Sequence, residues 1–235
     1  MSPHRATSLA HLHAALPDLA AEAGARALEF EEKRKLAPDF ADKLKRAGAF
    51  KVLVPADAGG LGGSLNDWLE VAMTLAEADA STGWVMSHAN ICAGLIYALA
   101  DPRLREAFFA DPDACAAWSS LPRVQVTEEA DGVRITGGWG FESGCTAATF
   151  VGGMVTLAPG ADGKPRVLAA LAPISEATIV ESWDPVGLAG TARRVVGRVN
   201  INLPKHHDPV SFSPPSPKSR RGSRCRLVPG SRAVK

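Results

Sequence analysis

Along the first 110 residues, apolar positions recur at helical spacing. Pro38 stands at a first helical position, with Phe40, Leu44 and Ala47 on one face and Gly48 just past the end. The stretch AFKVLVP reads as a short extended apolar piece ending at Pro55, and ADAGGLGGS as a glycine-rich turn. Ser64 followed by Asp67 is a capping signal. Behind it, Trp68, Val71, Ala72, Leu75 and Ala76 fall at i, i+3, i+4, i+7 and i+8, the stripe of an amphipathic helix. Asp101-Pro102 is an N-cap with proline at N1, opening a helix with Leu104, Ala107 and Phe108 on one side.

After Asp111-Pro112 the period changes. RVQVTEEADGVRIT holds two alternating runs around Asp131-Gly132, a hairpin signal. TFVGGMVTLA and PRVLAALA follow on either side of the turn PGADGK, and RVNINL alternates Val199, Ile201 and Leu203 with polar residues. These patterns predict an α-helical part over residues 1–112 and an all-β part over 113–207. From 208 to 235 no period remains, and a disordered basic Pro/Ser-rich tail is expected.

Composition sharpens this division. The 235 residues are 46% hydrophobic and 22% charged, which fits a folded chain with a real core and excludes a wholly disordered or collagen-like one. The net charge of +1 conceals an acidic body and a tail with eight Lys/Arg after residue 203. No aromatic residue interleaves the last of these basic residues, so nucleic acid is not an expected partner. Ala80–Ala100 carries no charge and is long enough to span a bilayer, but Ser81, Thr82, Ser87, His88 and Asn90 would be costly in lipid, so a buried soluble helix is expected and no membrane partner. Cys92, Cys115, Cys145 and Cys225 are scattered without a CxxC, so neither a metal site nor a redox pair is indicated. No leader pattern opens the chain, and a cytoplasmic setting is the expectation.

Three stretches carry candidate chemistry. Gly59–Gly63 lacks the GK[ST] of a P-loop and the βαβ setting of a dinucleotide site, so it reads as a structural turn. His88 lies four residues after Trp84 and shares its helix face; it is either a core histidine satisfied by a carbonyl or a base or donor facing a pocket. Trp118-Ser119-Ser120 and Trp139-Gly140-Phe141-Glu142-Ser143-Gly144-Cys145 place aromatics beside small hydroxyls on both sides of the hairpin. Such sets either fill a β core or offer π faces and donors to a flat ligand. Glu142-Ser143-Gly144 is not a nucleophile elbow, since the flanking glycine and the strand–turn–helix setting are missing.

In order, LVPADAGGLGG, AEADASTGWV, ITGGWGFESGC and ESWDPVGLAGT resemble the acyl-CoA dehydrogenase superfamily, and within it the flavin-dependent monooxygenase branch of two-component oxygenases. The resemblance covers about residues 10–207. It implies an α+β multidomain fold: an α-helical N-terminal domain, a β-barrel middle domain that binds flavin, and a C-terminal four-helix domain. No counterpart of the last is expected in these 235 residues, and a truncated or frameshifted gene product is the expected origin of the tail.

The resemblance also implies FAD or FMN as cofactor, a small-molecule aromatic or polycyclic substrate, a flavin reductase as partner, and homo-tetramers among family members. Trp118, Ser119 and Ser120 match one flavin-contacting strand, and Trp139, Phe141, Ser143 and Gly144 the other. The serine matching Ser143 is placed to touch flavin N5, and His88 lies near a substrate-pocket histidine; these two are the implied catalytic residues. Ala189 stands where the family usually has arginine. The implied function is a flavin-dependent oxidoreductase derived from a monooxygenase component, impaired by truncation. The alternatives are an acyl-CoA dehydrogenase, for which the matched motifs offer no catalytic carboxylate, and a non-enzymatic fragment or binding module.

Overall fold

The computed structural model describes residues 8–204 except 101, 131, 160–162, 164–165, 181–184 and 193, with the backbone alone at 168 and 194–204. Expectations that fall on Asp101, on Asp131, on the ESWD of the last motif and on the 208–235 tail lie outside the described residues. So do those on the side chains of Val199, Ile201 and Leu203.

Among the described residues six α-helices come first: α1 (Leu9–Ala25), α2 (Ala27–Lys33), α3 (Pro38–Arg46), α4 (Leu65–Ala78), α5 (Ala80–Leu99) and α6 (Pro102–Ala110). The capping box before α4 forms as its sequence signal predicts. Ser64 Oγ accepts from Asp67 N–H at 3.2 Å, and Asp67 Oδ2 accepts from Ser64 N–H at 2.6 Å. Asp79 caps α5 by accepting from Thr82 N–H at 2.7 Å. At Gly83 a Cβ would stand 2.5 Å from that of Ala76, so only glycine lets α4 and α5 approach this closely.

The polar residues of α5 do the work inside the fold that would have been costly in lipid. Asn90 is fully buried; its amide donates to Ala49 O at 2.5 Å and to Met86 O at 3.0 Å, and its Oδ1 accepts from Leu53 N–H at 3.3 Å. No helix among the described residues is long and apolar enough to cross a membrane.

The AFKVLVP segment is not extended. Ala49–Lys51 is a 3-10 turn, and the carbonyls of Val52 and Val54 accept from Gly63 N–H at 2.7 Å and Gly62 N–H at 2.8 Å. The apolar run folds back on its own glycine loop instead of entering a ladder. Gly60 N–H and Leu61 N–H likewise bond Pro55 O and Lys51 O. With four of its amides spent on backbone carbonyls, the loop is the structural turn the sequence suggested and not a phosphate cradle.

Seven strands follow among the described residues: β1 (Ala116–Ser119), β2 (Pro122–Glu128), β3 (Gly132–Glu142), β4 (Phe150–Leu157), β5 (Arg166–Pro173), β6 (Thr178–Val180) and β7 (Arg194–Pro204). They form a three-stranded sheet, β1-β4-β5, and a four-stranded sheet, β2-β3-β7-β6. Among the described residues no ladder closes these sheets into the β-barrel that the family resemblance implies. The predicted hairpin is present, with Val126 opposite Ile135, whereas β1 pairs parallel to β4, Trp118 opposite Gly152.

The buried ammonium of Lys51 ties the 3-10 turn to the end of α6: it donates to Asp111 O at 3.2 Å and Pro112 O at 3.0 Å, and lies over the rings of Phe108 and Phe109. A core cluster joins Val54, Cys92, Ala93 and Ile96 to Phe108, Ala116, Trp118 and Leu171.

Candidate functional site

The motif residues converge where α5 packs on β1, on the end of β3 and on the 3-10 turn Ala189–Thr191. Trp84, on the first turn of α5, is 47% exposed, and its indole Nε1 donates to Ser143 Oγ at 2.9 Å. Ser143 itself is buried, in a tight turn where its N–H bonds Phe141 O at 3.1 Å. Gly144 continues the turn at φ 79, its N–H bonding Thr191 O at 2.7 Å; a Cβ there would lie 3.0 Å from Val85 Cγ1. Cys145 closes the turn, its Sγ donating to Ala192 O at 3.1 Å.

His88 sits one turn along α5 from Trp84. Its Nε2 accepts from Trp118 N–H at 3.4 Å and lies 3.7 Å from Cys92 Sγ. An accepting Nε2 puts the proton of a neutral imidazole on Nδ1. This bond fastens half-buried His88 of α5 to the β1 backbone.

The hydroxyl of Ser119 is used internally: it donates to Gly140 O at 2.6 Å and accepts from Leu121 N–H at 3.1 Å, tying β1 to β3. Ser120 is exposed beside it. Trp118 is buried, its ring in the cluster with Cys92 and Ile96. Trp139 is 0% exposed and points into the sheet core, its Nε1 directed at Met154 O at 3.4 Å, so its ring offers no face to a ligand. The exposed aromatic surface is instead Phe141, 41% exposed at φ 64, together with Trp84.

Glu142, between Phe141 and Ser143, is a site residue that pattern reading passed over. It is fully buried, and neither carboxyl oxygen has a hydrogen-bond partner among the described residues. Burial pushes the carboxyl up to about 9, so it is a neutral acid at neutral pH; the nearby Gly152 N–H offsets this only partly. Burial raises the Cys92 thiol as well, with Cys115 and Glu142 adding to the effect. Both side chains are therefore uncharged at neutral pH. The one signal in the sequence is a lone acid at the end of a strand whose neighbouring positions are apolar or small.

A cavity of about 270 Å³ opens elsewhere, between Lys45, Phe50, Lys51, Gly60, Leu61 and Pro112, and none of the predicted site residues lines it. No group of three or more metal-ligating side chains occurs among the described residues.

Residues 11–111 match the acyl-CoA dehydrogenase N-terminal domain. The chain is 33% identical over 181 residues, 77% of its length and 44% of the relative's, to the oxygenase component of an FADH2-dependent resorcinol hydroxylase from a Rhizobium species. It is 35% identical over 169 residues, 69% of its length and 42% of the relative's, to an indole-3-acetate monooxygenase of Acinetobacter baumannii. Its fold superimposes on the crystal structure of the HsaA monooxygenase of Mycobacterium tuberculosis with a TM-score of 0.76 at 29% identity, covering 85% of this chain and 52% of that one. The chain thus spans about half the length of the relatives it matches. The domain match, these relatives and the shared fold together place the chain in the acyl-CoA dehydrogenase superfamily, alongside the oxygenase components of flavin-dependent monooxygenases.

Proposed function

We propose that this chain forms the flavin-facing part of an oxygenase component that hydroxylates an aromatic or polycyclic substrate, taking FAD or FMN in reduced form from a separate reductase. The observation that carries the reading is the Trp84–Ser143 pair. Ser143 Oγ accepts the indole proton at 2.9 Å, which leaves its own O–H to donate to a second acceptor. The donor follows the exposed ring of Phe141 by two residues, and an aromatic face beside a hydroxyl suits a flat heteroaromatic ring with nitrogen acceptors. Relatives named for the hydroxylation of resorcinol and the oxygenation of indole-3-acetate support the substrate class.

In this reading Phe141, Ser143, Gly144 and the Ser119–Ser120 backbone would hold the flavin ring, and Ser143 would offer its O–H to a ring nitrogen. Bound reduced flavin supplies the activation of O₂ and the transfer of one oxygen atom to the substrate. The protein orients the ring and keeps water from it. Apolar burial around Trp118 and the neutral forms of Cys92 and Glu142 favour a dry wall. His88, engaged at Nε2, orients the substrate side of α5 and does not abstract a proton through that nitrogen. A cytoplasmic setting and a homo-tetrameric assembly belong to the same reading.

Fluorescence titration of the full chain with FMN and FAD tests it. Saturable quenching that weakens in Ser143→Ala supports the reading, and quenching that stays linear with flavin concentration contradicts it.

A further inference from the structure

The cavity of about 270 Å³ stands apart from the Trp84–Ser143 pair, where four segments meet. Lys45 comes from the end of α3, Lys51 from the 3-10 turn, Leu61 from the glycine loop and Pro112 from the link between α6 and β1. The loop closes tightly on the turn. Gly48 holds φ 73, and a Cβ there would stand 2.9 Å from Leu61 Cδ1; a Cβ at Gly60 would strike the Val54 carbonyl. The amides of Gly60 and Leu61 are spent on Pro55 O and Lys51 O, so a ligand here would be held by side chains.

Among the described residues lining the cavity, two are cations and one, Asp113, is an acid. Lys51 is anchored by the Asp111 and Pro112 carbonyls, which fixes its charge in the wall. The Lys45 side chain is only 14% exposed and reaches Asp42 at 3.4 Å, the long end of hydrogen-bond range. An ammonium carries three hydrogens, so this bond leaves Lys45 able to donate to a ligand as well. Cys115, next to Ala114 of the lining, feels both charges: burial pushes its thiol up to about 12, while Lys45 and Lys51 act the other way. Positive charge set among the apolar surfaces of Phe50, Leu61 and Pro112 favours an anion with an apolar body. The volume falls just below the roughly 300–1,000 Å³ of drug-sized pockets, which suits a single ring.

We propose that this cavity is a second binding site, for a small aromatic carboxylate. The carboxylate accepts from Lys45 beside the fixed charge of Lys51, and the ring lies against Phe50, Leu61 and Pro112. The site is independent of the flavin reading, since it shares no residue with Phe141, Ser143 or Gly144.

The test is calorimetric titration of the full chain with benzoate, with its neutral isostere benzamide and with the cation benzylamine, at one ionic strength and neutral pH. The native chain is expected to bind one benzoate saturably and the other two at least about tenfold more weakly. Lys45→Gln should lose about tenfold in benzoate affinity, Lys45→Arg should keep most of it, and Ser143→Ala should bind as the native chain does. No saturable benzoate binding, or benzamide bound equally well, overturns the proposal. Preference for benzylamine also overturns it, by showing that Asp113 governs the cavity. Benzoate binding that weakens in Ser143→Ala and not in Lys45→Gln would place the ligand at the other site and overturn it too. The ranking of the three probes on the native chain decides the matter even where Lys45→Gln does not fold.

Discussion

Trp84 and Ser143, fifty-nine residues apart in sequence, are joined by a 2.9 Å hydrogen bond from indole Nε1 to hydroxyl Oγ that spans from α5 to the turn after β3. The bond fixes an exposed indole and a buried hydroxyl in one geometry. It links the helical part of the chain to the part that carries the proposed flavin contacts.

Removing either partner of this pair should therefore affect stability and binding together. Trp84→Phe and Ser143→Ala are each expected to cost about 1 kcal/mol of folding stability. The double variant is expected to cost less than the two single losses combined, since they share one bond. Urea unfolding of the four proteins measures this coupling; strictly additive losses would mean that the bond contributes nothing.

Glu142 makes stability depend on pH in a defined direction. Its folded-state value, about 9, lies above the ordinary 4.5, so the folded chain holds a proton that the unfolded chain releases. The contribution is fully present below the ordinary value and is lost progressively as pH rises toward about 9. Urea midpoints compared at about pH 5 and about pH 8 should fall for the native chain and change much less for Glu142→Gln. An equal fall in both proteins would assign the pH dependence to other groups.

Gly153 sits where β4 passes beneath the site. A Cβ there would strike the Ser119 carbonyl and come within 2.6 Å of the Trp139 ring. Gly153→Ala should destabilise by about 2–3 kcal/mol, since neither the strand backbone nor the enclosed indole can give way. Thermal unfolding checks this, and an unchanged midpoint would mean that the two sheets shift apart freely.

Lys51 is a buried cation held by two carbonyls and two phenyl rings. Lys51→Ala removes two hydrogen bonds and two cation–ring contacts from a buried position, while Asp111 O keeps Ala114 N–H at 3.0 Å, at a cost of about 2–3 kcal/mol. A loss below about 0.5 kcal/mol in chemical denaturation would show that water replaces the ammonium fully.

Much of the fold was legible because local chemistry and tertiary environment agree. Ser64 and Asp67 announce α4 by a capping box that forms as read, and the alternation on either side of residue 131 announces the β2–β3 hairpin. AFKVLVP misled because a short apolar run is the same for a buried strand and a buried turn, and only the partners of Val52 and Val54 decide. The order of the motifs made the superfamily recognisable before any contact was known. Individual roles were less legible. Trp139 and Phe141 share a motif, but the register slip after Trp139 buries one ring and exposes the other. Glu142 gave no period or spacing to detect, since its distinction is the absence of a partner.

Size-exclusion chromatography of the purified chain with excess FMN or FAD, followed at protein and flavin wavelengths together, tests the central claim most directly. A discrete protein peak that carries flavin, and loses it in Ser143→Ala, is the expected result. A discrete peak that elutes free of flavin would contradict a cofactor wall built on Phe141, Ser143 and Gly144.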